Sequence, residues 1–211
     1  MAYLDLLAKN HSKTKRDYLA RVNDQDFPKY RAAELAKKWD YDYWDGDRRI
    51  NYGGYHYKPG YWDAVADALI QNYELKGNDK VLDIGCGKGF LLYELKQKIP
   101  SLRISGLDVS AYAVENAKSE IKDNLVLGNA SSLPFENKEF DLVFSINTLH
   151  NLFNFELESA LLEITRVGKG NKYICVESYR NEIEKMNLLY WQVTCESFYT
   201  PEEWEWCFKK T

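Results

Sequence analysis

Cysteine is sparse in this chain, and its spacing is wrong for a metal. Cys86, Cys175, Cys195 and Cys207 form none of the close pairs that structural metal sites use. Free thiols in a reducing compartment and no bound metal are therefore expected. There are three histidines, His11, His56 and His150, and no cysteine sits at a recognisable nucleophile–base spacing from one. No excess of positive charge is present: 28 Lys/Arg face 32 Asp/Glu, for a net charge of −4. Residues 1–60 carry 12 basic against 9 acidic groups and the remainder 16 against 23. This mild asymmetry argues against a broad nucleic-acid-binding face, so nucleic acid is not expected as a partner, while a small anionic substrate near the N-terminal part stays compatible. No apolar run approaches the roughly 18 residues of a membrane span, and charge interrupts the short apolar stretch at the N-terminus. A cytoplasmic location and no membrane partner are expected. Low-complexity linkers and internal repeats are also missing. What remains is a chain of 211 residues, 45% apolar, with 16 Tyr and 6 Trp, enough for a substantial core.

The rhythm changes along the chain. Residues 1–74 read as an N-terminal helical and aromatic cap or lid. Helices are expected at about 13–22, from the stretch 24–28 to about Trp39, and from about Tyr61 to Tyr73. Between the last two lies an aperiodic segment rich in Tyr, Trp, Gly and Asp. From Lys80 onward short apolar strands alternate with helices. Strands are expected at Val81–Ile84, Leu102–Leu107, Leu125–Leu127, Phe140–Ile146 and Tyr173–Val176, with helices at Ala111–Ile121 and Leu157–Arg166. Such alternation predicts an α/β domain over 75–211: a doubly wound, mainly parallel sheet with helices on both faces. Thr200-Pro201-Glu202-Glu203 is a capping box that opens one more helix.

A glycine loop directly after the first strand lets a ligand approach the backbone. Here it reads Asp83-Ile-Gly85-Cys86-Gly87-Lys88-Gly89, a G-x-G-x-G pattern, with Phe90 where a dinucleotide loop places its last glycine. The second strand ends in Asp108, 21 residues beyond Gly87. An acidic group there can accept hydrogen bonds from both hydroxyls of a ribose, so a ribose-bearing cofactor is expected.

Four segments in order, Val81–Phe90, Gly106–Ser110, Gly128–Phe135 and Phe140–Asn151, resemble the successive motifs of class I, Rossmann-like methyltransferases dependent on S-adenosylmethionine. The branch with the ubiquinone- and menaquinone-biosynthesis enzymes is the most similar. The resemblance covers about residues 75–178 and implies roles by position. Asp83 and Gly85 to Gly89, Cys86 and Gly87 included, would line the methionine part of the cofactor. Asp108 would hold the ribose, with Val109 against the adenine face. Asn129 and Ala130 would meet the adenine edge, the Asn129 amide oxygen accepting where relatives often carry an acid. Asn147 would lie near the transferable methyl. Family members continue with antiparallel strands that this sequence lacks, which leaves the fifth strand as an expected apolar edge and a homodimer through it as an expected assembly.

Methyl transfer needs a base when the acceptor is a hydroxyl or a protonated amine. His150 and His56 are the candidates, whereas His11 lies in a charged stretch. Tyr52, Tyr55 and Tyr57 of the aromatic segment, together with Glu177 after the fifth strand, are the candidate acceptor-binding residues. The expected activity is methylation of O or N of a small molecule, a sugar, an aromatic or an amine. The alternatives are a protein or nucleic-acid methyltransferase, a non-catalytic cofactor-binding protein, and a dehydrogenase disfavoured by the glycine spacing.

Overall fold

A computed structural model describes residues 3–7 and 17–211. The N-terminal part holds α1 (Ala20–Asn23), α2 (Lys29–Ala36), α3 (Tyr41–Trp44) and α4 (Asp63–Tyr73). The alternating part follows as β1 (Lys80–Ile84), α5 (Phe90–Lys98), β2 (Arg103–Asp108), α6 (Ala111–Glu115), β3 (Leu125–Leu127), β4 (Phe140–Ile146), α7 (Asn154–Val167) and β5 (Gly168–Cys175). The chain finishes with α8 (Glu182–Trp191) and α9 (Pro201–Lys210). The five strands form one wholly parallel sheet in the order β3-β2-β1-β4-β5.

Both faces of the sheet are covered, which is why its central strands read as nearly continuous apolar runs. Val81, Ile104, Leu142 and Phe144 pack with Val65 and Leu69 of α4 and Leu92 and Leu95 of α5. On the opposite face Leu82, Ile84, Leu107 and Val143 pack with Leu157, Leu161 and Ile164 of α7 and with Trp204 of α9. The capping box forms as expected: the Glu203 N–H donates to Thr200 Oγ1 at 3.3 Å, and the Thr200 N–H donates to the Glu203 carboxylate at 2.7 Å.

Several boundaries differ from expectation. The helix at about 13–22 is described only over Ala20–Asn23, and residues 13–16 lie outside the described residues. α2 stops at Ala36, before Trp39, whose φ of 56° is left-handed. The aperiodic segment contains α3, started by the Asp40 carboxylate accepting from the Tyr41 N–H. The helix expected to reach Ile121 ends at Glu115. The Asn116 side chain donates back to the Tyr112 carbonyl there, and Ile121 turns inward as a buried residue.

β5 begins at Gly168 and not at Tyr173, running straight out of α7. It is an edge strand, and no sixth strand lies beside it among the described residues. The edge is not apolar, however. Lys169 to Lys172 are exposed and polar, and the buried Tyr173 is covered from within the chain. Its hydroxyl meets the backbone of Leu4 and Leu6, and Leu6 and Leu7 join its hydrophobic cluster. Lysines on an edge disfavour further strand pairing, so the expected homodimer loses its physical motive. Among the described residues no helix is long and apolar enough to cross a membrane.

Candidate active site

The chain winds one way from β1 through β2 to β3 and the other way through β4 and β5. Ligands of open α/β sheets bind outside the carboxyl ends of the strands at such a reversal. A cavity of about 940 Å³ opens there. It brings together Asp83, Gly85, Cys86, Gly87, Asp108, Val109, Asn129, Ala130 and Asn147. Tyr52, Tyr55, His56, His150 and Glu177 line the same cavity. Two expected residues do not. Gly89 packs toward Ile121 and Leu125 behind the loop. The Tyr57 hydroxyl donates to Glu94 Oε1 at 2.6 Å while its ring packs edge-on against Phe90 and Tyr93, so it serves the packing of the cap. His11 lies outside the described residues.

The loop is shaped by contacts that exclude a side chain. Gly85 has φ 80°, and a Cβ there would fall 2.0 Å from Thr148 Oγ1, so the β1 and β4 loops touch only because the position is glycine. At Gly87 (φ 56°) a Cβ would lie 2.8 Å from the Trp44 ring. The Gly87 N–H donates to Asp108 Oδ2 at 2.7 Å, and the Ser110 N–H donates to Asp108 Oδ1 at 2.8 Å. Burial pushes the Asp108 carboxyl up despite these backbone bonds. The Val109 N–H adds a third backbone bond, and the carboxylate keeps accepting capacity for an incoming hydroxyl.

Asp83 differs from Asp108 in having nothing. It is 5% exposed and no group among the described residues donates a hydrogen bond to it. Burial, and then the charge of Asp108, hold its carboxyl well above the ordinary range. Burial, with Asp108 and Asp83 adding to it, also pushes the Cys86 thiol up, which makes Cys86 a poor nucleophile and leaves it the role of a small loop residue.

Sequence reasoning missed the anchor of the cap. Asp45 accepts from Lys88 Nζ at 2.6 Å, the Tyr112 hydroxyl at 2.8 Å and the Tyr55 N–H at 2.8 Å. Burial opposes ionisation of Asp45, but these donors hold its carboxyl below the ordinary value. Beside it, Trp44 Nε1 donates to Ser110 Oγ at 2.9 Å and the Ser110 hydroxyl donates to the Trp39 carbonyl. Trp44 stacks on Tyr52 at 5.4 Å, and Tyr55 stacks on Phe90 at 5.1 Å. The aromatic segment is thus a wall tied to the glycine loop. The available signal was Lys88, a lysine in a loop that must bury itself.

The hydrogen bonds of Asn129 and His150 bear on their expected roles. Asn129 Oδ1 accepts from both the N–H and the hydroxyl of Ser131, at 2.9 Å each. Its oxygen is used in this turn, so the amide nitrogen is what remains to face a base edge. His150, at 2% exposed, accepts through Nδ1 from the Glu177 N–H at 3.3 Å. Burial lowers its pKa, against the charge of Glu177, so it is neutral near pH 7. The ring nitrogen that holds a lone pair is already bonded, which leaves Nε2 carrying the proton. A base needs the reverse. Among the described residues no group of His, Cys, Asp or Glu is placed to hold a metal ion.

A profile of the family described as "Methyltransferase domain" matches residues 75–211, most of the chain. The chain belongs to that family. The demethylmenaquinone methyltransferase of Symbiobacterium thermophilum is 33% identical over 128 residues, 56% of this chain and 50% of that protein. The chain spans about half the length of the curated relatives it matches. Among solved structures, the YcgJ protein of Bacillus subtilis superposes with a TM-score of 0.57 at 22% identity, over 69% of this chain and 66% of that one. The [4+2]-cyclase SpnF superposes with a TM-score of 0.58 at 22% identity, over 70% of this chain and 55% of that one. These likenesses show the Rossmann-like α/β fold.

Proposed function

We propose that the chain binds S-adenosylmethionine in this cavity and methylates a small molecule held between the glycine loop and the aromatic wall. The observation that carries the proposal is the pair Asp83 and Asp108, buried side by side at the glycine loop. The nearby Lys88 is committed to Asp45. Asp83, without a donor of its own, suits the cofactor's ammonium, and Asp108 suits its ribose. A dinucleotide would bring its pyrophosphate toward two carboxylates, which opposes binding. Val109, half exposed at the rim, offers a face to the adenine, and Ala130 with the Asn129 amide lines its edge.

When bound, S-adenosylmethionine supplies a methyl carbon already activated on a sulfonium sulfur. The protein's task is alignment and exclusion of water. Asn147, left-handed after β4, and Tyr52, Tyr55 and Glu177 all line the cavity, which supports assigning Asn147 to the reacting end and the other three to the acceptor. Tyr55 and Tyr52 also present ring faces that attract a sulfonium. The acceptor atom is O or N of a sugar, aromatic or amine in the reading from residue chemistry. The name of the demethylmenaquinone relative adds ring carbon of a quinone-type acceptor.

Titration calorimetry with S-adenosylmethionine, its demethylated product S-adenosylhomocysteine, and NAD tests the cofactor. The two adenosyl compounds bind and NAD does not. Asp108→Ala weakens binding by roughly 1.5–3 kcal/mol, the range for hydrogen bonds to a charged group. Unchanged affinity in that variant, or preferred binding of NAD, refutes the assignment.

A further inference from the structure

The geometry points to His150 and Thr194 as an oxygen-binding subsite of the acceptor, in which His150 is a fixed hydrogen-bond donor; this rests on the methyltransferase reading above. The turn Leu149–Asn151 follows β4 and carries His150 into the cavity wall. The ring is held from one side by the Glu177 N–H on Nδ1. The backbone of the same residue is held from the other, since its carbonyl accepts from the N–H groups of Glu196 and Ser197 at 2.9 and 3.0 Å. That pair of bonds lays the segment 194–197 alongside the turn. Thr194 is buried and lines the same cavity.

His150 Nε2 and the Thr194 hydroxyl have no partner among the described residues. Buried polar groups are ordinarily paired. Neither atom is sealed off. Among the described residues, the one side-chain polar atom both cut off from solvent and unpartnered is Asn151 Oδ1, on the same turn. His150 Nε2–H and Thr194 Oγ1 therefore open on the cavity, one a donor and the other a donor or acceptor. Carried on adjoining segments of one cavity wall, the two are assigned to one acceptor oxygen.

The surroundings choose the kind of oxygen. Glu177 lines the cavity beside His150, and its carboxylate accepts from Gln192 Nε2. A carboxylate or phosphate of the acceptor would meet that charge. An ammonium would meet the proton on Nε2. A hydroxyl or carbonyl oxygen on an uncharged acceptor meets neither obstacle. Tyr52, Tyr55 and Trp191 line the same cavity with aromatic surface, which suits a flat ring bearing the oxygen.

The experiment uses the full chain labelled with ¹⁵N-histidine. Long-range ¹H–¹⁵N correlation at pH 7.5 reads the tautomer of His150, assigned by the cross-peaks that vanish in His150→Gln. The expected pattern is an unprotonated Nδ1 and a protonated Nε2. The probes are hydroquinone, benzoate and benzylamine, each titrated in the presence of saturating S-adenosylhomocysteine. Hydroquinone shifts the Nε2 signal and binds at least tenfold more tightly than the other two. His150→Gln, which retains an N–H donor at the ε position, keeps most of that affinity, and His150→Phe loses about tenfold. Circular dichroism on both variants separates loss of fold from loss of the donor. A proton on Nδ1, equal binding of benzoate, or undiminished hydroquinone binding by His150→Phe overturns the inference. Failure of S-adenosylhomocysteine to bind in a parallel titration is a different result: it overturns the cofactor reading, and the tautomer in the wild-type chain still decides the role of His150.

Discussion

Replacing Asp83 with asparagine separates what the fold wants from what the ligand wants. In the unliganded protein this carboxylate is buried, receives no hydrogen bond from the described residues and sits beside Asp108. Its folded pKa is raised, so the folded state binds the proton more tightly than the unfolded state does. The sign follows directly. Stability associated with Asp83 is present below the unfolded value of about 4 and is lost as pH rises through the raised folded value. At pH 7.5 Asp83→Asn therefore stabilises the free protein. The scale is that of relieving one unsatisfied buried group, about 1–3 kcal/mol. For a domain of this size that is a rise in Tm of roughly 2–10 °C. Binding moves the other way. Loss of the charge-assisted bond to the ammonium weakens S-adenosylhomocysteine about 10- to 100-fold, again on the scale of 1.5–3 kcal/mol. Differential scanning fluorimetry and calorimetry on the same samples read both. The gain in Tm should shrink toward pH 4, where Asp83 itself is protonated. A variant with lowered Tm and unchanged affinity would refute the reasoning, because it would mean that Asp83 has a structural partner in the fold.

Lys88→Met leaves Asp45 without its ammonium and should destabilise the protein by about 3 kcal/mol, as for one-sided removal of a buried ion pair; the double variant with Asp45→Asn should recover part of this in thermal melts. Hydrogen exchange over residues 41–62 should slow when S-adenosylhomocysteine binds, with the larger change at 56–62, beyond the Asp45 anchor; no change would make the segment a static packing layer. Light scattering should give the monomer mass of 24.7 kDa, since Lys169 and Lys172 mark the β5 edge and Leu6 and Leu7 cover Tyr173; a stable dimer would refute that account of the edge.

The fold was legible because the sheet writes itself as apolar runs at fixed intervals. β3 and β4 match their expected spans residue for residue: β4 is buried along most of its length, which leaves little choice of residue, whereas β3, with only Leu125 buried, is marked by its short apolar run between Asn124 and Gly128. Helix ends were less legible. Nothing local in Ala111–Ile121 announces that Ile121 is needed behind Gly89, and tertiary packing decided it. The glycine loop and Asp108 were legible as a pattern because each closes a strand of the alternating part, β1 and β2, at a fixed spacing. The Asp45–Lys88–Tyr112 cluster could not, because its members are 43 and 67 residues apart and obey no period. The tautomer of His150 also escaped notice. It is set by a backbone N–H at Glu177, and a sequence does not show which lone pair a backbone will occupy.

Cap and loop are a single device in this protein, for an electrostatic reason. Lys88 is 5% exposed and Asp45 is 15% exposed at the level of their side chains, so each charge needs the other. Asp45 also holds the Tyr55 N–H, and Tyr55 stacks on Phe90, the first residue of α5. The loop that meets the cofactor is therefore braced on one side by the sheet and on the other by the aromatic wall. Ser110 closes the circuit, since it donates to Asp108 through its N–H and accepts from Trp44 through its hydroxyl. Any ligand that orders Asp108 and the glycine loop must then order Trp44 and Tyr55 as well. The wall proposed for the acceptor is thus held by the same few bonds that shape the glycine loop and Asp108.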